Sequence, residues 1–519
     1  MKIIKNVCCL LLIFFISNNG YSQKLQPIRL EVPSEINEEN FHVEILGEKG
    51  VLIFYESNEV TNDNQRKWFF GLFNTSLKQQ WLKFIPLADK LEYVDSDRSD
   101  TKLFLLFRNL TRGRSEEGSY EIVTYNILSN EFSKVTGTFP NKAEIAGFKT
   151  IENTGCLALN INRQETDLLF VDLITGDINP AHVMPDSDSY IFKLQADKQN
   201  RKFYTALKVI KDNRYISDKL IRFSSKGIEE HTYDIAVMEN LKSISNYYFV
   251  PQNNNHLLVF GTYDIITERI NSFKDLLDNE DPKSVGMYYL EFVEGNQTSL
   301  KFYDFLGFDN IYGSLGNRTL EYKKSSNQQA ESKEKSLSAY YHLYDPQVIK
   351  IDEQYVFSVE VYKPFYTLET RMDYDFYGRP VPYSYNVFGG YDFYDVIVVG
   401  LSEEGDLIWN NDFAINDLRT FELNRNSIVF NDDEFISIAY VNKGYIHLQT
   451  IEGPADIGKV QTEIESKFEK DRVADDQFNQ IKFWYDKYFL IYGYQKLKNR
   501  TLDDQNVRTA FYVNKVAYN

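Results

Sequence analysis

The segment from Asp395 to Trp409, DVIVVGLSEEGDLIW, consists of an apolar strand, a tight turn at Glu403-Glu404-Gly405-Asp406, and a second strand. The same pattern returns about every 50 residues along the chain. Its other turns are Leu128-Ser129-Asn130, Ile174-Thr175-Gly176-Asp177, Ser225-Lys226-Gly227 and Glu294-Gly295-Asn296. A period of this length is typical of propellers, solenoids and arrays, because each unit has an apolar face that only its neighbours can cover. The repeat therefore predicts an architecture, and it names no ligand.

Runs rich in Val, Ile, Phe and Tyr, bounded by Asn, Asp, Gly or Ser, dominate the chain and predict an all-β fold. The strongest runs are Val51 to Tyr55, Leu103 to Phe107, Cys156 to Asn160, Phe203 to Leu207, Leu257 to Gly261, Tyr355 to Val361, Phe435 to Tyr440 and Phe489 to Tyr494. Each belongs to a unit of four strands, which in the first unit are Phe41 to Leu46, Val51 to Tyr55, Trp68 to Phe73 and Trp81 to Leu87. We predict a β-propeller of about eight four-stranded blades, with seven blades as the alternative. A β-helix and a pair of smaller β-domains are the competing folds.

The last unit contains only three predicted strands, of which the third includes Ala510 to Val513. A fourth strand is available at the other end of the chain, at Ile28 to Val32. We expect this N-terminal strand to join the C-terminal blade, because that pairing removes exposed sheet edges and closes the ring.

Three long insertions interrupt the repeat, at about 265–284, 309–341 and 365–393. The first and third join the second and third strands of a unit, and the second joins the fifth unit to the sixth. In a four-stranded blade these two kinds of connection lie on the same face of the disc. Since a rigid scaffold commonly presents its binding residues on loops, this face is where we expect the functional site.

The third insertion is rich in aromatic residues. Six of its side chains are our candidate ligand contacts: Tyr374, Tyr377, Arg379, Tyr383, Tyr385 and Tyr391. Exposed tyrosines would form a stiff amphipathic surface for sugar rings or for a protein partner. The alternative is an extended hairpin whose rings pack on one another and on the blade. The two interpretations are compatible, since a packed hairpin can still present one face.

The region from Asp392 to Trp409 resembles the hairpin, D-x-x-V followed by G-x-L-x-W, of many secreted bacterial β-propeller repeat proteins. The resemblance covers one unit well and the others in outline. It implies a propeller fold and no particular activity. Trp409 is then expected to pack between adjacent blades.

The first 22 residues have the pattern of a secretory signal peptide. Lys2 and Lys5 precede an apolar run that is too short to span a bilayer, and we expect cleavage between Ser22 and Gln23. The remainder, 23–519, is predicted to be a single propeller domain, secreted or periplasmic, monomeric and without membrane insertion. Its loss of two lysines takes the formal charge from −18 to −20, which disfavours nucleic acid as a partner.

Motifs for known chemistry are absent from the sequence. The six histidines show no zinc-binding spacing, and no G-x-S-x-G motif is present. Asp95, Asp97 and Asp100 have oxygen ligands at short spacing but lack the glycine and the terminal glutamate of a calcium loop. Cys156 opens an apolar run and is expected to be a buried small hydrophobe. We therefore expect no metal and no cofactor.

Two functions remain. The first is a non-catalytic propeller that binds a protein or a glycan through the face with the insertions. The alternative is a polysaccharide hydrolase or lyase with carboxylates at the mouth of the central channel, so enzymatic activity stays an open question. A pair of carboxylates about 5 to 10 Å apart at the channel mouth would favour the enzyme. An aromatic surface without such a pair would favour binding.

Overall fold

The computed structural model describes residues 28–34, 41–109, 118–184, 187–211, 215–237, 242–265, 284–308, 341–374, 376–432, 435–502 and 506–517. The strands in these residues form eight four-stranded sheets, and each strand pairs antiparallel with the next. The predicted signal peptide lies outside the described residues. So do nearly all of the insertions at 265–284 and 309–341.

The strand bounds follow the repeat. Strand β1 is Ile28–Pro33, and the first sheet contains β2 (His42–Ile45), β3 (Val51–Val60), β4 (Arg66–Phe73) and β5 (Gln79–Leu87). The second sheet contains β6 (Leu91–Arg98), β7 (Lys102–Asn109), β8 (Gly118–Asn126) and β9 (Glu131–Phe139). The third contains β10 (Ala143–Ile151), β11 (Thr154–Ile161), β12 (Glu165–Asp172) and β13 (Ile178–Val183). The fourth contains β14 (Asp188–Asp197), β15 (Lys202–Lys211), β16 (Tyr215–Ser224) and β17 (Glu229–Asp234).

The second half of the chain continues the series. The fifth sheet contains β18 (Lys242–Asn253), β19 (His256–Ile265), β20 (Gly286–Val293) and β21 (Asn296–Asp304). The sixth contains β22 (His342–Ile351), β23 (Gln354–Tyr374), β24 (Pro380–Ser402) and β25 (Leu407–Thr420). The seventh contains β26 (Ser427–Asp432), β27 (Phe435–Asn442), β28 (Tyr445–Glu452) and β29 (Ala455–Glu463). The eighth contains β30 (Arg472–Tyr485), β31 (Tyr488–Lys498), β32 (Val507–Ala517) and β1.

The N-terminal strand completes the eighth sheet, as the sequence predicted. β1 pairs antiparallel with β32, and Leu30 lies opposite Val513. The Arg29 guanidinium lies 4.6 Å from the Tyr512 ring centroid and donates a hydrogen bond of 2.9 Å to Gln495 Oε1. The two ends of the chain are therefore joined by a ladder of backbone hydrogen bonds and by buried polar contacts.

Eight apolar clusters lie between the sheets of the described residues. Each cluster contains side chains from two consecutive sheets, and one of them joins the eighth sheet to the first. First strands of neighbouring sheets also contact one another, for example β10 with β14 and β14 with β18, which places them around a common axis. This is a closed eight-bladed β-propeller, and the prediction of about eight blades is confirmed. Buried Cys156 and Trp409 each lie in one of these clusters, as expected.

The repeated turn joins the third and fourth strands of a sheet, and it also contacts the neighbouring blade. Gly227 and Gly405 have φ of +78°, a conformation that favours glycine. A Cβ atom on Gly227 would lie 2.4 Å from the Phe170 ring of the third sheet, and one on Gly405 would lie 2.4 Å from the Tyr289 ring of the fifth. The glycine is thus required both by the turn and by the packing of one blade on the next.

Strand direction divides the propeller into two faces. Because successive strands are antiparallel, the turn from second to third strand and the connection to the next sheet lie on one face, which we call the hairpin face. The tight turns described above lie on the opposite face. β23 and β24 extend well beyond their blade on the hairpin face and form the third insertion. That the other two insertions share this face stays a prediction. Within the described part of the chain, no helix is long and apolar enough to cross a membrane.

Candidate functional site

The third insertion is a two-stranded ribbon. Its strands stay paired from Tyr362, opposite Phe393, to Tyr374, opposite Pro380. Since side chains alternate along a strand, Arg371, Tyr383 and Tyr385 fall on one side of the ribbon. The other side carries Tyr366, Leu368, Met372 and Tyr374, opposite Phe388, Asn386, Pro382 and Pro380. The ribbon therefore has one side with aromatic rings and charges of both signs, since Glu369 and Asp373 share it with Arg371, and one largely apolar side.

The distal half of the ribbon is exposed. Relative exposure is 70% for Tyr374, 98% for Phe376, 77% for Tyr377 and 53% for Tyr383. Both faces of the distal ribbon are in water, and an isolated two-stranded hairpin of this kind is at best marginally stable. Its exposed aromatic residues therefore do not cover a hydrophobic core, which is the usual structural reason for such residues. Arg379 is also exposed, and its guanidinium lies 5.4 Å from the Tyr377 ring centroid. These four candidate residues are available to a ligand.

The charged side of the ribbon holds a small preformed cluster. The Arg371 guanidinium lies 5.7 Å from the ring centroid of Tyr383 and 5.8 Å from that of Tyr385. The Tyr385 hydroxyl donates a hydrogen bond of 3.2 Å to Glu369 Oε2. This arrangement combines ring faces with charged and hydroxyl groups, which suits contact with either peptide or sugar.

The base of the ribbon is packed against the sixth blade. Tyr391 is half-buried and makes edge contacts with Tyr362 and Phe388. The Arg419 guanidinium lies 3.4 Å from the Phe365 ring centroid, and its Nε lies 2.5 Å from Asp392 Oδ1. Rings also contact one another in the distal half, where Tyr383 stacks on Tyr385 with centroids 6.0 Å apart and Phe376 meets Tyr377 edge-on at 5.6 Å. The base is thus packed on the blade, whereas the tip rings contact one another and stay exposed.

Arg419→Ala should loosen the ribbon where it leaves the blade. Cation–π and surface ion-pair energies together are about 1 kcal/mol, so we expect amide hydrogen exchange in 362–393 to accelerate by about fivefold. Lys459→Ala, which removes an exposed lysine of β29, should leave that exchange unchanged. Equal exchange in the Arg419 variant and the wild type would show that Arg419 does not hold the ribbon.

A cavity of about 670 Å³ lies beside the ribbon base, near the axis of the ring. First strands of the first, second, sixth, seventh and eighth sheets line it. Thr420, Glu422 and Asn424, in the connection from the sixth to the seventh sheet, also line it, so the cavity reaches the hairpin face. Because Thr420 follows Arg419 directly, the ribbon and the cavity mouth are adjacent.

Two carboxylates of the innermost strands line the cavity, and each has a lysine partner. Lys149 Nζ lies 3.3 Å from Asp95 Oδ2, and Lys193 Nζ lies 3.9 Å from Asp345 Oδ1. Burial lowers the pKa of Lys193, and the charge of Asp345 opposes that shift. These contacts pair Asp95 and Asp345 with cations, whereas Glu422, a third carboxylate of the lining, accepts a hydrogen bond of 3.3 Å from Asn424 Nδ2. Asp97 is likewise engaged, by the Lys198 ammonium at 2.6 Å.

A buried polar network lies where the described chain enters the first insertion. Lys208 Nζ lies 2.6 Å from Asp218 Oδ1, which also accepts a hydrogen bond of 2.7 Å from the Tyr247 hydroxyl. Burial raises the pKa of the nearby Asp264 carboxyl to about 6. On the far side of the insertion, the Ser284 amide donates a hydrogen bond of 2.8 Å to the Tyr341 carbonyl oxygen. The two insertions outside the described residues therefore leave the ring at adjacent points.

Sequence reasoning identified the ribbon and missed the cavity. Much of its lining comes from first strands. These strands carry fewer apolar residues than the second strands, so their strand pattern in the sequence is weak. Register shifts interrupt several of them, including β6, β22 and β30. Such bulges turn side chains in directions that simple alternation does not predict. The mixed polar and aromatic residues of 420–430 were the available sequence signal for the cavity.

No known protein family matches the sequence, and no curated protein matches it. Among solved structures, the WD40 domain of SCAP from fission yeast is 8% identical, with a TM-score of 0.38 over 95% of this chain and 98% of that one. Polysaccharide lyase Uly1 is 10% identical, with a TM-score of 0.37 over 82% of this chain and 89% of that one. The dihydro-heme d1 dehydrogenase NirN is 10% identical, with a TM-score of 0.32 over 84% and 78%. These similarities concern the fold only and transfer no function to this chain.

Proposed function

We propose that this chain is a non-catalytic binding propeller that contacts a protein or a glycan through the β23–β24 ribbon on the hairpin face. In this proposal residues 1–22 are removed as a signal peptide, and the propeller acts in the periplasm or outside the cell. The observation that carries the proposal is the exposed aromatic tip on a packed base. A soluble domain gains no stability from such a surface, whereas an interface gains contact area from it.

Two of the three carboxylates that line the cavity, Asp95 and Asp345, face ammonium groups, so neither is arranged as a free acid or base beside the other. This pairing fits the proposal of binding. The candidate contacts are Tyr374, Tyr377, Arg379, Tyr383, Tyr385 and Tyr391. Exposure makes the first four the direct contacts, and the half-buried Tyr385 and Tyr391 support them.

A ribbon-trimmed variant tests this function. Replacing 367–387 by Asn-Gly keeps the paired residues Tyr366 and Phe388 and closes the ribbon with a short hairpin turn. Both proteins would be assayed on a glycan array and in pull-downs from envelope and culture fractions, and each captured partner would then be titrated in purified form. We expect trimming to weaken binding by more than about 100-fold, since several exposed aromatic contacts are lost together.

The matched control is Phe84→Ser, which removes a large exposed aromatic residue from β5 at another blade. It should leave the affinity unchanged. Unchanged binding by the trimmed protein would overturn the role assigned to the ribbon. Turnover of a bound polysaccharide would overturn the non-catalytic assignment.

A further inference from the structure

The axial cavity has two chemically different walls. Blades one and eight supply aromatic side chains: Phe41, Phe478, Tyr492, Tyr494 and Phe511. Blades six and seven supply polar ones, among them Gln347, Asn424 and Arg425. A volume of about 670 Å³ is within the usual range for a site that holds a small organic ligand. Tyr494 and Phe511 are buried in the cluster between the eighth and first blades, so this wall offers a ligand only the partly buried rings of Phe41, Phe478 and Tyr492. The other wall offers hydrogen-bonding groups.

The cations that line the cavity are already engaged by the protein. Arg425 Nε donates 3.0 Å to the Ser427 carbonyl oxygen, and Arg425 Nη2 donates 3.0 Å to Ser358 Oγ. Lys482 Nζ lies 5.6 Å from the Tyr492 ring centroid. The carboxylates Asp95, Asp345 and Glu422 and the cations Arg425 and Lys482 all line the cavity, and the two aspartates also have lysine partners, so both signs of charge are present with neither in large excess. A neutral ligand fits this balance better than an ion.

Two neutral polar groups of the lining remain available. Neither the Gln480 amide nor the His42 imidazole makes a side-chain hydrogen bond to the described part of the chain, although the His42 ring itself packs against the rings of Phe54, Trp68 and Tyr93. Burial lowers the pKa of His42 to about 4, so its ring is uncharged near neutral pH. A neutral imidazole offers one hydrogen-bond donor and one acceptor, and a glutamine amide offers an NH2 donor group and a carbonyl acceptor, so each can pair with the hydroxyl group of a ligand.

Phe478 adds an independent observation. Its φ is +53°, a strained conformation for a bulky side chain, at a bulge in the innermost strand of the eighth blade. The corresponding left-handed positions of the fifth and sixth blades are Asn246 and Asp345, residue types that tolerate this conformation. Phe478 also lines a second cavity, of about 440 Å³, that shares Thr420 with the first. Asn at position 478 would relieve the backbone strain. That Phe478 occupies it instead indicates a function for the phenyl ring.

We propose that the axial cavity binds a short neutral oligosaccharide, with Phe478 as a platform for the apolar face of a sugar ring and with Gln480 and His42 as partners for its hydroxyl groups. This site is separate from the ribbon, and it goes beyond the binding function proposed above. Its existence does not depend on what the ribbon contacts.

Calorimetric titration tests the site. The probes are short neutral oligosaccharides derived from glucan, mannan, galactan and xylan, with oligogalacturonate as a charged comparator. We expect the wild type to bind at least one neutral probe more tightly than the charged one. Phe478→Asn should weaken that affinity by about tenfold, because a stacking platform is lost. The same variant loses the edge contact of Phe478 with the Tyr494 ring but relieves the strained φ, so its unfolding temperature should stay close to that of the wild type.

Gln480→Ala provides a second variant with no change in backbone strain, and it should weaken the same probe by about fivefold. The ribbon-trimmed protein should bind the sugar as the wild type does, which separates this site from the ribbon. The proposal is overturned if no neutral probe binds the wild type, if the charged probe binds more tightly, or if both point variants bind normally. Loss of sugar binding on trimming the ribbon would also overturn it.

Discussion

A chain that begins at Ser34 is expected to lose most of its stability relative to one that begins at Gln23. Removing β1 exposes the edge of β32 and uncovers Ile28, Leu30 and Val32 contacts with the cluster between the eighth and first blades. It also removes the buried side chains of Arg29 and Glu31. Each half-buried aliphatic side chain contributes about 1 kcal/mol to the free energy of unfolding. Together with the lost buried hydrogen bonds, the free energy of unfolding should fall by about 5 kcal/mol. That is comparable to the whole stability of many domains.

Urea unfolding followed by tyrosine and tryptophan fluorescence measures this loss. The matched control is a chain that begins at Ile28, which keeps β1 entire and should unfold at the same urea concentration as the longer chain. A synthetic peptide of residues 23–34 should restore the shortened protein in a saturable way, because it supplies the missing strand. Equal midpoints for chains that begin at Ile28 and Ser34 would show that β1 does not close the ring.

The sequence predicted the blades because second strands are buried on both sides. In β7 the run Leu103 to Phe107 is fully buried, so it reads as a continuous apolar segment. Gly227 and Gly405 occupy their turns for two physical reasons, backbone conformation and contact with the preceding blade, and both leave a trace in the sequence. The blade count followed from these two signals, and closure followed from a three-stranded last unit with a spare strand at Ile28 to Val32.

The candidate site was predicted only in part, for equally physical reasons. Aromatic residues of the ribbon stand out because they occur between polar residues and glycines, where a core residue is not expected. The axial cavity depends on how five separate blades converge, and no local pattern records that convergence. In β6 most residues are half-buried, so the strand shows neither a continuous apolar run nor clear alternation. The left-handed backbone of Phe478 is also invisible in the sequence.

Lys208→Met is expected to destabilise the propeller by about 3 to 5 kcal/mol near neutral pH. The Lys208 ammonium is buried, lies 2.6 Å from Asp218 Oδ1 and donates 2.6 Å to the Ile244 carbonyl oxygen. Its removal leaves the Asp218 carboxylate buried without a cation. Removing one member of a buried ion pair lowers stability by about 3 to 5 kcal/mol. Urea unfolding of the purified variant beside the wild type gives the difference.

The double variant Lys208→Met with Asp218→Asn should recover much of that loss, because asparagine can still accept the Tyr247 hydrogen bond and leaves no buried charge.

Asp264 adds a pH dependence. Its folded pKa of about 6 lies above the ordinary value of 3.8, so its contribution is fully present below about pH 4 and is lost as pH rises through 6. Lys208 holds that pKa down, so its removal should extend the loss to higher pH. A single variant as stable as the double one near neutral pH would contradict the buried pair, and an unshifted pH profile would contradict its coupling to Asp264.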